Sequence, residues 1–389
     1  MNILKNTFIL FLLLLISEIN TGQKLSPYAE ISILTCAPGN ELYSTFGHSA
    51  IRIKDPVLRL DEVYNYGTFN FETPGFYTKF IRGKLDYMLS VSPYRYFIIP
   101  YKQNKRAIKE QQLNLSYNQK NKIFEALKIN ALPENKYYRY DFLKDNCATR
   151  VLKVFEDILK DSLLLPSSPD YNNLTYREML MPYLQGKDWE RFGINLALGR
   201  PVDKIVTIKE SAFLPDYLEK LISETKIISG KEEVNFVKNE INIYTPADKI
   251  AEKSLPYTPS RVFWILLLAV LSLTIFEIKY GKYFLTLDKT IFFVFGFTGL
   301  NILFLWFATE HSSVINNQNI IWASPLFFIS AFLLRKNNKK YLKNFFLAYT
   351  GIIILVFLSD IFFIPLYDKA VIPLELILIT RSSLIFMRK

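Results

Sequence analysis

The alternation of apolar and polar positions divides the chain into three parts. A basic start, the apolar run 8–16 and the small residues after it are typical of a signal peptide over residues 1–22. Residues 23–260 mix apolar and polar positions and are long enough to bury a core, whereas residues 261–389 are mostly apolar. We therefore expect a leader, an outer domain (residues 23–260) and a membrane domain (residues 261–389).

Five apolar stretches of the membrane domain are candidates for spanning helices, because about 20 apolar residues are needed to cross about 30 Å of hydrocarbon. They are residues 262–278, 290–308, 320–334, 345–364 and 371–387, and the third and fifth are short. Lysine and arginine cluster after the first, third and fifth stretches but not after the second and fourth. The positive-inside rule therefore predicts that the outer domain lies outside the cytoplasm.

The outer domain mixes strand and helix patterns. Short alternating stretches rich in aromatic and β-branched residues predict strands at 30–36, 48–54, 62–71, 85–92, 96–101 and 233–244. Apolar stripes at helical spacing, some after Ser or Thr caps, predict helices that begin near residues 76, 116, 147, 175, 188 and 215. The predicted fold class is α+β for the outer domain, followed by an all-α membrane domain of about five transmembrane helices.

Charge and composition exclude several classes of function for this chain. The chain of 389 residues has a formal net charge of +11, and a good part of this excess lies in the predicted cytoplasmic loops, where it can contact lipid headgroups. We therefore expect no nucleic-acid partner. The two histidines and two cysteines lack the spacing of a metal site, and no glycine-rich loop suits a phosphate, so that no metal and no cofactor is predicted.

One cysteine and one histidine stand where a thiol enzyme needs them. Cys147 opens a predicted helix, with Asp145 or Asn146 as its cap, and His48 opens a predicted strand. A thiol at a helix N-terminus and beside a histidine has a lowered pKa, and the N–H groups of the helix can stabilise an oxyanion. Two alternatives remain open: Cys147 is a small buried apolar residue, or it forms a disulfide with Cys36.

Six short motifs, taken in order, carry a resemblance to known proteins. They are TCAPG (35–39), YSTFGHSAIR (43–52), YNYGTF (64–69), YDFLKDNC (140–147), LTYRE (174–178) and FLP (213–215). A histidine strand that precedes a cysteine helix resembles the circularly permuted NlpC/P60 group, which includes the relatives of lecithin:retinol acyltransferase. With the membrane tail and its His-containing loop, nearly the full length resembles the Lnb family of Bacteroidetes, which is implicated in N-acylation of lipoproteins.

The resemblance to Lnb implies a two-step acyl transfer in which Cys147 is the nucleophile and His48 the base and acid. A membrane phospholipid would donate an acyl chain to Cys147, and the α-amine of a diacylated apolipoprotein would accept it. It also implies a multi-pass protein of the inner membrane whose catalytic domain is periplasmic. Two other functions remain open: a cell-wall peptidase or amidase of the NlpC/P60 kind, and a membrane-anchored binding protein without catalysis.

The permuted group carries a third polar residue on the strand after the histidine strand, and Asn65 is the candidate here, with an ordinary turn residue as the alternative. Candidates for substrate binding are Arg52 (on the face of His48, or a salt bridge), Tyr43 and Ser44 (or loop packing), Asn146, and His311 (or an interfacial residue). In the last apolar stretch, we expect Arg381 to extend toward the cytoplasmic interface.

Overall fold

The computed structural model describes residues 23–167, 173–247, 256–362 and 368–388. The predicted signal peptide, residues 1–22, lies outside these residues. A domain of strands and helices comes first, and a region of long helices follows from Pro259. The fold class is the predicted one, a mixed sheet-and-helix domain followed by a helical membrane region.

The described part of the outer domain contains ten strands and eight α-helices. The strands are β1 (Glu30–Cys36), β2 (His48–Asp55), β3 (Leu60–Thr68), β4 (Asp86–Pro93), β5 (Ile108–Leu113), β6 (Tyr137–Arg139), β7 (Leu163–Leu164), β8 (Lys226–Ser229), β9 (Glu232–Asn235) and β10 (Val237–Tyr244). The helices are α1 (Phe76–Ile81), α2 (Tyr94–Gln103), α3 (Tyr117–Asn130), α4 (Cys147–Leu159), α5 (Tyr176–Leu180), α6 (Asp188–Ala197), α7 (Ile208–Ser211) and α8 (Pro215–Glu224).

Seven strands form one antiparallel sheet in the order β10-β5-β1-β2-β3-β4-β6. β1 and β2 pair with Cys36 opposite His48, which confirms the two strands predicted at 30–36 and 48–54. β3 runs back along β2, with Ile51 opposite Tyr64. The end of β3 and the start of β2 therefore meet at one end of the sheet, where His48 lies.

Helices cover both faces of this sheet, because each face carries apolar side chains that fold away from water. On one face, Val151 and Phe155 of α4 share a buried core with Ile33 of β1. On the other face, Phe97 of α2 packs with Leu34. α4 crosses β2 and β3, which brings its first residue to the end of the sheet where β2 starts.

The strand predicted at 96–101 is wrong. These residues belong to α2, because Phe97 and Tyr101 are four residues apart and both pack toward the sheet on one face of a helix. The stretch predicted as one strand at 233–244 is divided at Phe236, which is fully buried between β9 and β10.

The sequence does not signal β5, because its central residues are polar. Glu110 is buried, and it accepts hydrogen bonds from Ser32 at 2.6 Å and from Arg52 at 3.0 Å. A buried carboxylate is costly unless it is paired and hydrogen-bonded, and these two partners satisfy that requirement. A polar pattern that indicates an exposed segment thus forms an interior strand of the sheet.

The described part of the membrane region contains five α-helices: α9 (Pro259–Tyr280), α10 (Leu285–Ala308), α11 (Leu326–Leu333), α12 (Lys340–Phe362) and α13 (Ile372–Met387). Four described helices are long and apolar enough to cross a membrane, over Pro259–Tyr280, Leu285–Ala308, Lys340–Ser359 and Lys369–Met387. These four correspond to the first, second, fourth and fifth of the predicted spans.

The third predicted span, residues 320–334, is wrong as a continuous helix. Only α11 forms there, and its 8 residues extend about 12 Å at a rise of about 1.5 Å per residue. The segment lies against α10 so closely that a Cβ atom on Gly296 would come within 1.9 Å of the backbone nitrogen of Phe328. Glycine in α10 therefore lets an irregular segment pack inside the bundle, where protein rather than lipid surrounds its backbone.

The two ends of this irregular segment lie on opposite sides of the helical region. Before it, the side chain of Asn319 donates to the backbone oxygens of Asn195 and Leu196 in the outer domain. After it, Lys343 donates to the backbone oxygen of Arg388. The basic segment after α11 therefore shares its side with the basic C-terminus, as the charge pattern predicts.

A buried ion cluster joins three membrane helices. The fully buried guanidinium of Arg381 in α13 lies 2.5 Å from Glu277 of α9 and 2.6 Å from Asp288 of α10. It also donates to the hydroxyl of Thr274 at 2.7 Å. The expectation that Arg381 extends to the interface is wrong, because two carboxylates inside the bundle bind it.

We predict that Arg381→Met lowers the free energy of unfolding by about 3–5 kcal/mol, since it removes the guanidinium that two buried carboxylates both bind. Denaturant unfolding of the purified protein in detergent measures this loss. Arg388→Met is the control, because Arg388 reaches Glu277 at 3.4 Å with a partly exposed side chain. We expect the control to lose about 1 kcal/mol or less, and equal losses in both variants would contradict the prediction.

Candidate active site

The structure brings the three side chains predicted as catalytic together. Cys147 is the first residue of α4 and His48 the first residue of β2, and their side chains are close enough for each to shift the pKa of the other. The Nε2 atom of His48 lies 2.6 Å from the Oδ1 atom of Asn65 in β3. Because an amide oxygen only accepts, Nε2 carries a proton and Nδ1 is left to face the thiol.

Gly67 makes room for this group two residues after Asn65. Its φ is +86°, a left-handed conformation that glycine adopts far more readily than other residues. A Cβ atom on Gly67 would lie 3.3 Å from the Cβ atom of Cys147 and 3.8 Å from the Cε1 atom of His48. Glycine therefore allows both the turn of the backbone and the close approach of β3 to the thiol.

Asn146 fixes the point at which α4 begins. Its Oδ1 atom accepts hydrogen bonds from the N–H groups of Ala148 and Thr149 at 2.9 and 3.0 Å. Its Nδ2 atom donates to the backbone oxygens of Phe142 and Phe213, each at 2.8 Å. The prediction that Asn146 binds substrate is therefore corrected: the backbone uses its carboxamide, and the residue is a helix cap.

The surroundings favour the charged forms of Cys147 and His48. Burial raises the pKa of Cys147, but the charge of His48 and hydrogen bonds from His48, Ser49 and Ala148 lower it by more, so that the net direction is down. Burial lowers the pKa of His48, but the charge of Cys147 and hydrogen bonds to Cys147 and Asn65 raise it by more. The pair therefore tends toward a thiolate and an imidazolium, the reactive state of a thiol nucleophile.

Cys36 is a thiol of a different kind. Both cysteines are free, so the structure does not contain the Cys36–Cys147 disulfide that was the alternative. Cys36 is fully buried and lies opposite His48 in the β1–β2 pair. Burial raises the pKa of Cys36 to about 12, although Arg106 and a hydrogen bond with Tyr101 lower it in part. Cys36 is therefore a protonated thiol at neutral pH.

Arg52 is bound by partners inside the domain. Its Nε and Nη2 atoms donate to the two carboxylate oxygens of Asp61 at 2.8 and 2.9 Å, and its Nη1 atom donates to Glu110 at 3.0 Å. Its guanidinium also lies 3.4 Å from the ring centre of Tyr94. The prediction of a lipid phosphate site at Arg52 is therefore corrected: the residue forms a salt bridge that links β2, β3 and β5.

Ser44 and Tyr43 lie in the loop between β1 and β2. Ser44 is buried, and its hydroxyl donates to the backbone oxygen of Glu41 at 2.9 Å. Its predicted role in binding is corrected to one in stabilising the turn. Tyr43 is 74 % exposed, and its role in substrate binding stays a prediction.

His311 binds the outer domain from the loop after α10. Its Nε2 atom lies 3.2 and 3.1 Å from the backbone oxygens of Phe80 and Ile81 at the end of α1. The N–H group of Glu310 donates to the backbone oxygen of Arg82 at 2.9 Å. The role of His311 in substrate binding stays a prediction. We call residues 309–317 the docking loop, because they attach the membrane region to α1.

The docking loop also reaches the segment that precedes the thiol. The hydroxyl of Ser312 donates to the Oδ2 atom of Asp141 at 2.5 Å. The Oδ1 atom of Asp141 in turn accepts from the N–H groups of Leu143 and Lys144, each at 2.9 Å. A membrane loop therefore helps to shape residues 141–146, and with them the start of α4.

Four further residues lie beside the thiol, and none of them is among the predicted site residues. The ring of Tyr101 stacks 6.5 Å from that of His48, and the guanidinium of Arg106 lies 4.7 Å from the ring of Tyr101. Tyr140 is close enough to Cys147 that burial and the thiolate together raise the pKa of its hydroxyl. Two of them have a signal in the sequence: Gly67 is a glycine at the end of a strand pattern, and Tyr140 opens the motif that ends at Cys147. Tyr101 and Arg106 come from a segment that only the fold brings to the thiol.

We predict that iodoacetamide alkylates Cys147 at neutral pH about tenfold faster than an unperturbed thiol, which is only a few per cent thiolate. The lowered pKa of Cys147 sets the direction of this rate difference, because its thiolate persists to lower pH than the thiolate of an ordinary cysteine. His48→Ala removes the charge that lowers this pKa, so the alkylation rate should fall and its pH profile should move upward. Peptide mass spectrometry against time measures both rates.

Cys36 is the internal control for this labelling, because its pKa is raised to about 12. It should stay unmodified while Cys147 reacts. Alkylation of Cys36 first, or a pH profile unchanged by His48→Ala, would contradict the assigned roles.

We predict that Ser312→Ala increases hydrogen exchange at the amides of Leu143 and Lys144 about fivefold, since one lost hydrogen bond costs about 1 kcal/mol. Ser313→Ala is the matched control, because Ser313 contributes its backbone oxygen, which accepts from the N–H group of Gly199 at 2.9 Å. Hydrogen exchange followed by mass spectrometry compares the two variants. The same exchange rate in both would show that the docking loop does not order this segment.

Comparison with known families gives two matches. Residues 22–180 match the Lnb N-terminal periplasmic domain, and residues 250–389 match the Lnb transmembrane domain. Neither a curated protein nor a solved structure matches the chain. The two matched segments contain the Cys147–His48–Asn65 group and all four helices that can cross a membrane. The chain therefore belongs to the Lnb family and is a multi-pass membrane protein with a periplasmic domain.

Proposed function

We propose that this protein is a lipoprotein N-acyltransferase that works through a thioester on Cys147. The observation that carries the proposal is the grouping of Cys147, His48 and Asn65 at a helix start, in which Asn65 binds His48 and a Cβ atom on Gly67 would touch both Cys147 and His48. A thiolate next to a protonated imidazole is what acyl transfer through a thioester requires. The attached membrane helices and the membership of the Lnb family support lipid substrates.

In the first step, the thiolate of Cys147 attacks the carbonyl carbon of a phospholipid ester. The N–H groups of Ala148 and Thr149 donate to Asn146, so we assign the oxyanion that forms beside the sulfur to the N–H group of Cys147 itself. As the bond between this carbon and the glycerol oxygen breaks, His48 gives that oxygen its proton from Nδ1. A lysophospholipid leaves, and Cys147 carries the acyl chain.

In the second step, the α-amine of a diacylglyceryl-cysteine attacks the thioester. His48 is neutral after the first step, so it accepts the proton of the amine at Nδ1. The C–N bond forms, the C–S bond breaks, and Cys147 leaves as a thiolate beside an imidazolium. Asn65 holds the proton on Nε2 in both steps and so keeps Nδ1 directed at the reacting atoms.

The contacts of the docking loop support a reaction close to a membrane. This loop follows α10 directly, and Ser312 within it contacts the segment that leads to Cys147. Both proposed substrates are embedded in lipid, so a site near the membrane suits them, and we place the reaction at the outer leaflet of the inner membrane. A cell-wall peptidase would use the same thiol chemistry but would gain nothing from these contacts.

We predict that phospholipid alone acylates Cys147 of the purified protein in detergent. The adduct should be labile to hydroxylamine, absent in Cys147→Ser, and formed about 10²- to 10⁴-fold more slowly in His48→Ala. Intact-mass and peptide mass spectrometry measure it. Addition of a diacylglyceryl lipopeptide should then remove the adduct and give an amide-linked acyl chain on the lipopeptide.

Cys36→Ala is the matched control, because it removes the other thiol and should leave the adduct in place. Wild-type protein without an adduct, or an adduct that persists in Cys147→Ser, would contradict the thioester mechanism. Cleavage of peptidoglycan stem peptides by the same preparation would favour the peptidase instead.

A further inference from the structure

The periplasmic domain carries a group of exposed apolar side chains on and before α1. They are Phe71, Tyr77, Phe80 and Ile81, which are 66, 75, 50 and 51 % exposed. Water disfavours so many large apolar side chains side by side, and such a concentration marks an interaction surface. The periplasmic domain therefore offers an apolar partner a place to bind.

Aromatic rings continue from this surface to the thiol. The centroids of Phe80 and Phe76 are 6.2 Å apart, those of Phe76 and Phe69 are 5.8 Å apart, and those of Phe69 and Tyr87 are 5.3 Å apart. Tyr87 stacks on Tyr140 at 4.2 Å. We call these five residues, together with Tyr77 beside Phe76, the aromatic ridge.

The inner end of the aromatic ridge lies at the active site. Tyr140 is within electrostatic range of the Cys147 thiolate. Phe69 follows two residues after Gly67, and a Cβ atom on Gly67 would lie 3.3 Å from the Cβ atom of Cys147. The ridge is therefore a continuous apolar path between an exposed surface and the thiol.

The outer end of the ridge lies next to the membrane region. The docking loop begins directly after α10, and its residue His311 binds the backbone oxygens of Phe80 and Ile81. The exposed rings of α1 are therefore attached within three residues of the end of a helix that can cross a membrane. A bilayer that surrounds α10 would reach α1 at its interfacial layer, where aromatic side chains are favoured.

Basic side chains accompany these rings. Lys79 and Arg82 are exposed at and just after the end of α1, and Lys84 forms an ion pair with Glu310 of the docking loop at 3.2 Å. Aromatic rings together with lysine and arginine are typical of segments that lie in a membrane interface, since the rings enter the acyl layer and the cations contact the phosphates. The charge pattern therefore favours a lipid bilayer over an apolar protein partner.

We propose that the exposed outer end of the aromatic ridge, on α1, inserts into the outer leaflet and that the ridge guides the acyl chain of the phospholipid donor from the bilayer to Cys147. The guiding role rests on the proposed acyl transfer, whereas the insertion of α1 does not. An acyl chain that moves along the rings stays out of water, and every methylene group kept from water favours that path. Lys79 and Arg82 hold the phosphates of the surrounding lipid while the chain moves inward.

Depth-dependent quenching tests the insertion. Tyr77→Trp and Tyr28→Trp are a matched pair, because Tyr28 is 74 % exposed but lies before β1, at the end of the sheet away from His48. Each full-length variant is reconstituted in vesicles of phosphatidylethanolamine and phosphatidylglycerol with brominated acyl chains. After subtraction of the parent signal, Trp at 77 should be quenched several times more than Trp at 28. Equal quenching would overturn the proposal.

Acylation kinetics test the guiding role. Phe80→Asp should lower the rate of Cys147 acylation by vesicle phospholipid about tenfold, which corresponds to the burial of one large apolar side chain. With p-nitrophenyl butyrate, a water-soluble acyl donor, the rate should stay that of the parent protein. Tyr28→Asp is the control and should keep both rates.

The outcomes separate the two proposals. If Phe80→Asp lowers the rates with vesicle phospholipid and with p-nitrophenyl butyrate equally, or lowers neither rate, the ridge does not guide the acyl chain. If the parent protein itself takes no acyl chain from phospholipid, the proposed function fails, and the guiding role fails with it. The quenching experiment needs no activity, so it still decides whether the ridge enters the bilayer.

Discussion

Four hydrogen bonds made by one carboxamide decide where the reactive thiol lies. Asn146 accepts from the N–H groups of Ala148 and Thr149, and it donates to the backbone oxygens of Phe142 and Phe213. The first two bonds start α4 at Cys147, and the last two tie that start to segments before and after the helix. Because α4 packs across β2 and β3, the same anchor sets the position of the sulfur relative to His48 and Asn65. Because this geometry places Cys147 next to His48, each side chain shifts the pKa of the other toward its charged form.

The buried charged groups of this protein are of two kinds, which differ in whether solvent can reach them. Arg52 with Asp61 and Glu110, and Arg381 with Glu277 and Asp288, are clusters whose guanidinium groups bind carboxylates on neighbouring strands or helices. Such clusters link elements together, and removing one partner is costly. The thiolate and imidazolium of the active site are also a buried pair, but His48 keeps part of its surface exposed. One side of this charged pair is therefore accessible from solvent, whereas the guanidinium groups of the two arginine clusters are shielded.

The docking loop makes the periplasmic domain and the membrane region depend on each other. Through His311 and Glu310 it attaches α1, and through Ser312 it contacts the segment before Cys147. One short loop therefore touches both the aromatic surface and the approach to the nucleophile. This connection holds the exposed rings of α1 and the thiol of Cys147 at a fixed distance, which the proposed transfer from a lipid donor requires.

The sequence by itself determined the parts that local patterns control: the paired strands around His48, the helix that starts at Cys147, the side of the membrane on which the basic loops lie, and four of the five spans as continuous helices. These follow from alternation, capping residues and charge, which act over a few residues. Tertiary structure decided the rest. It assigned Arg52, Asn146 and His311 to internal contacts, turned residues 96–101 into a helix, and broke the third span against the glycines of α10. It also gave Gly67, Tyr101 and Tyr140 their positions beside the thiol. The physical reason is that the role of a side chain depends on the partners that the fold places in contact with it. Those partners come from strands, helices and a membrane loop that are far apart in the chain.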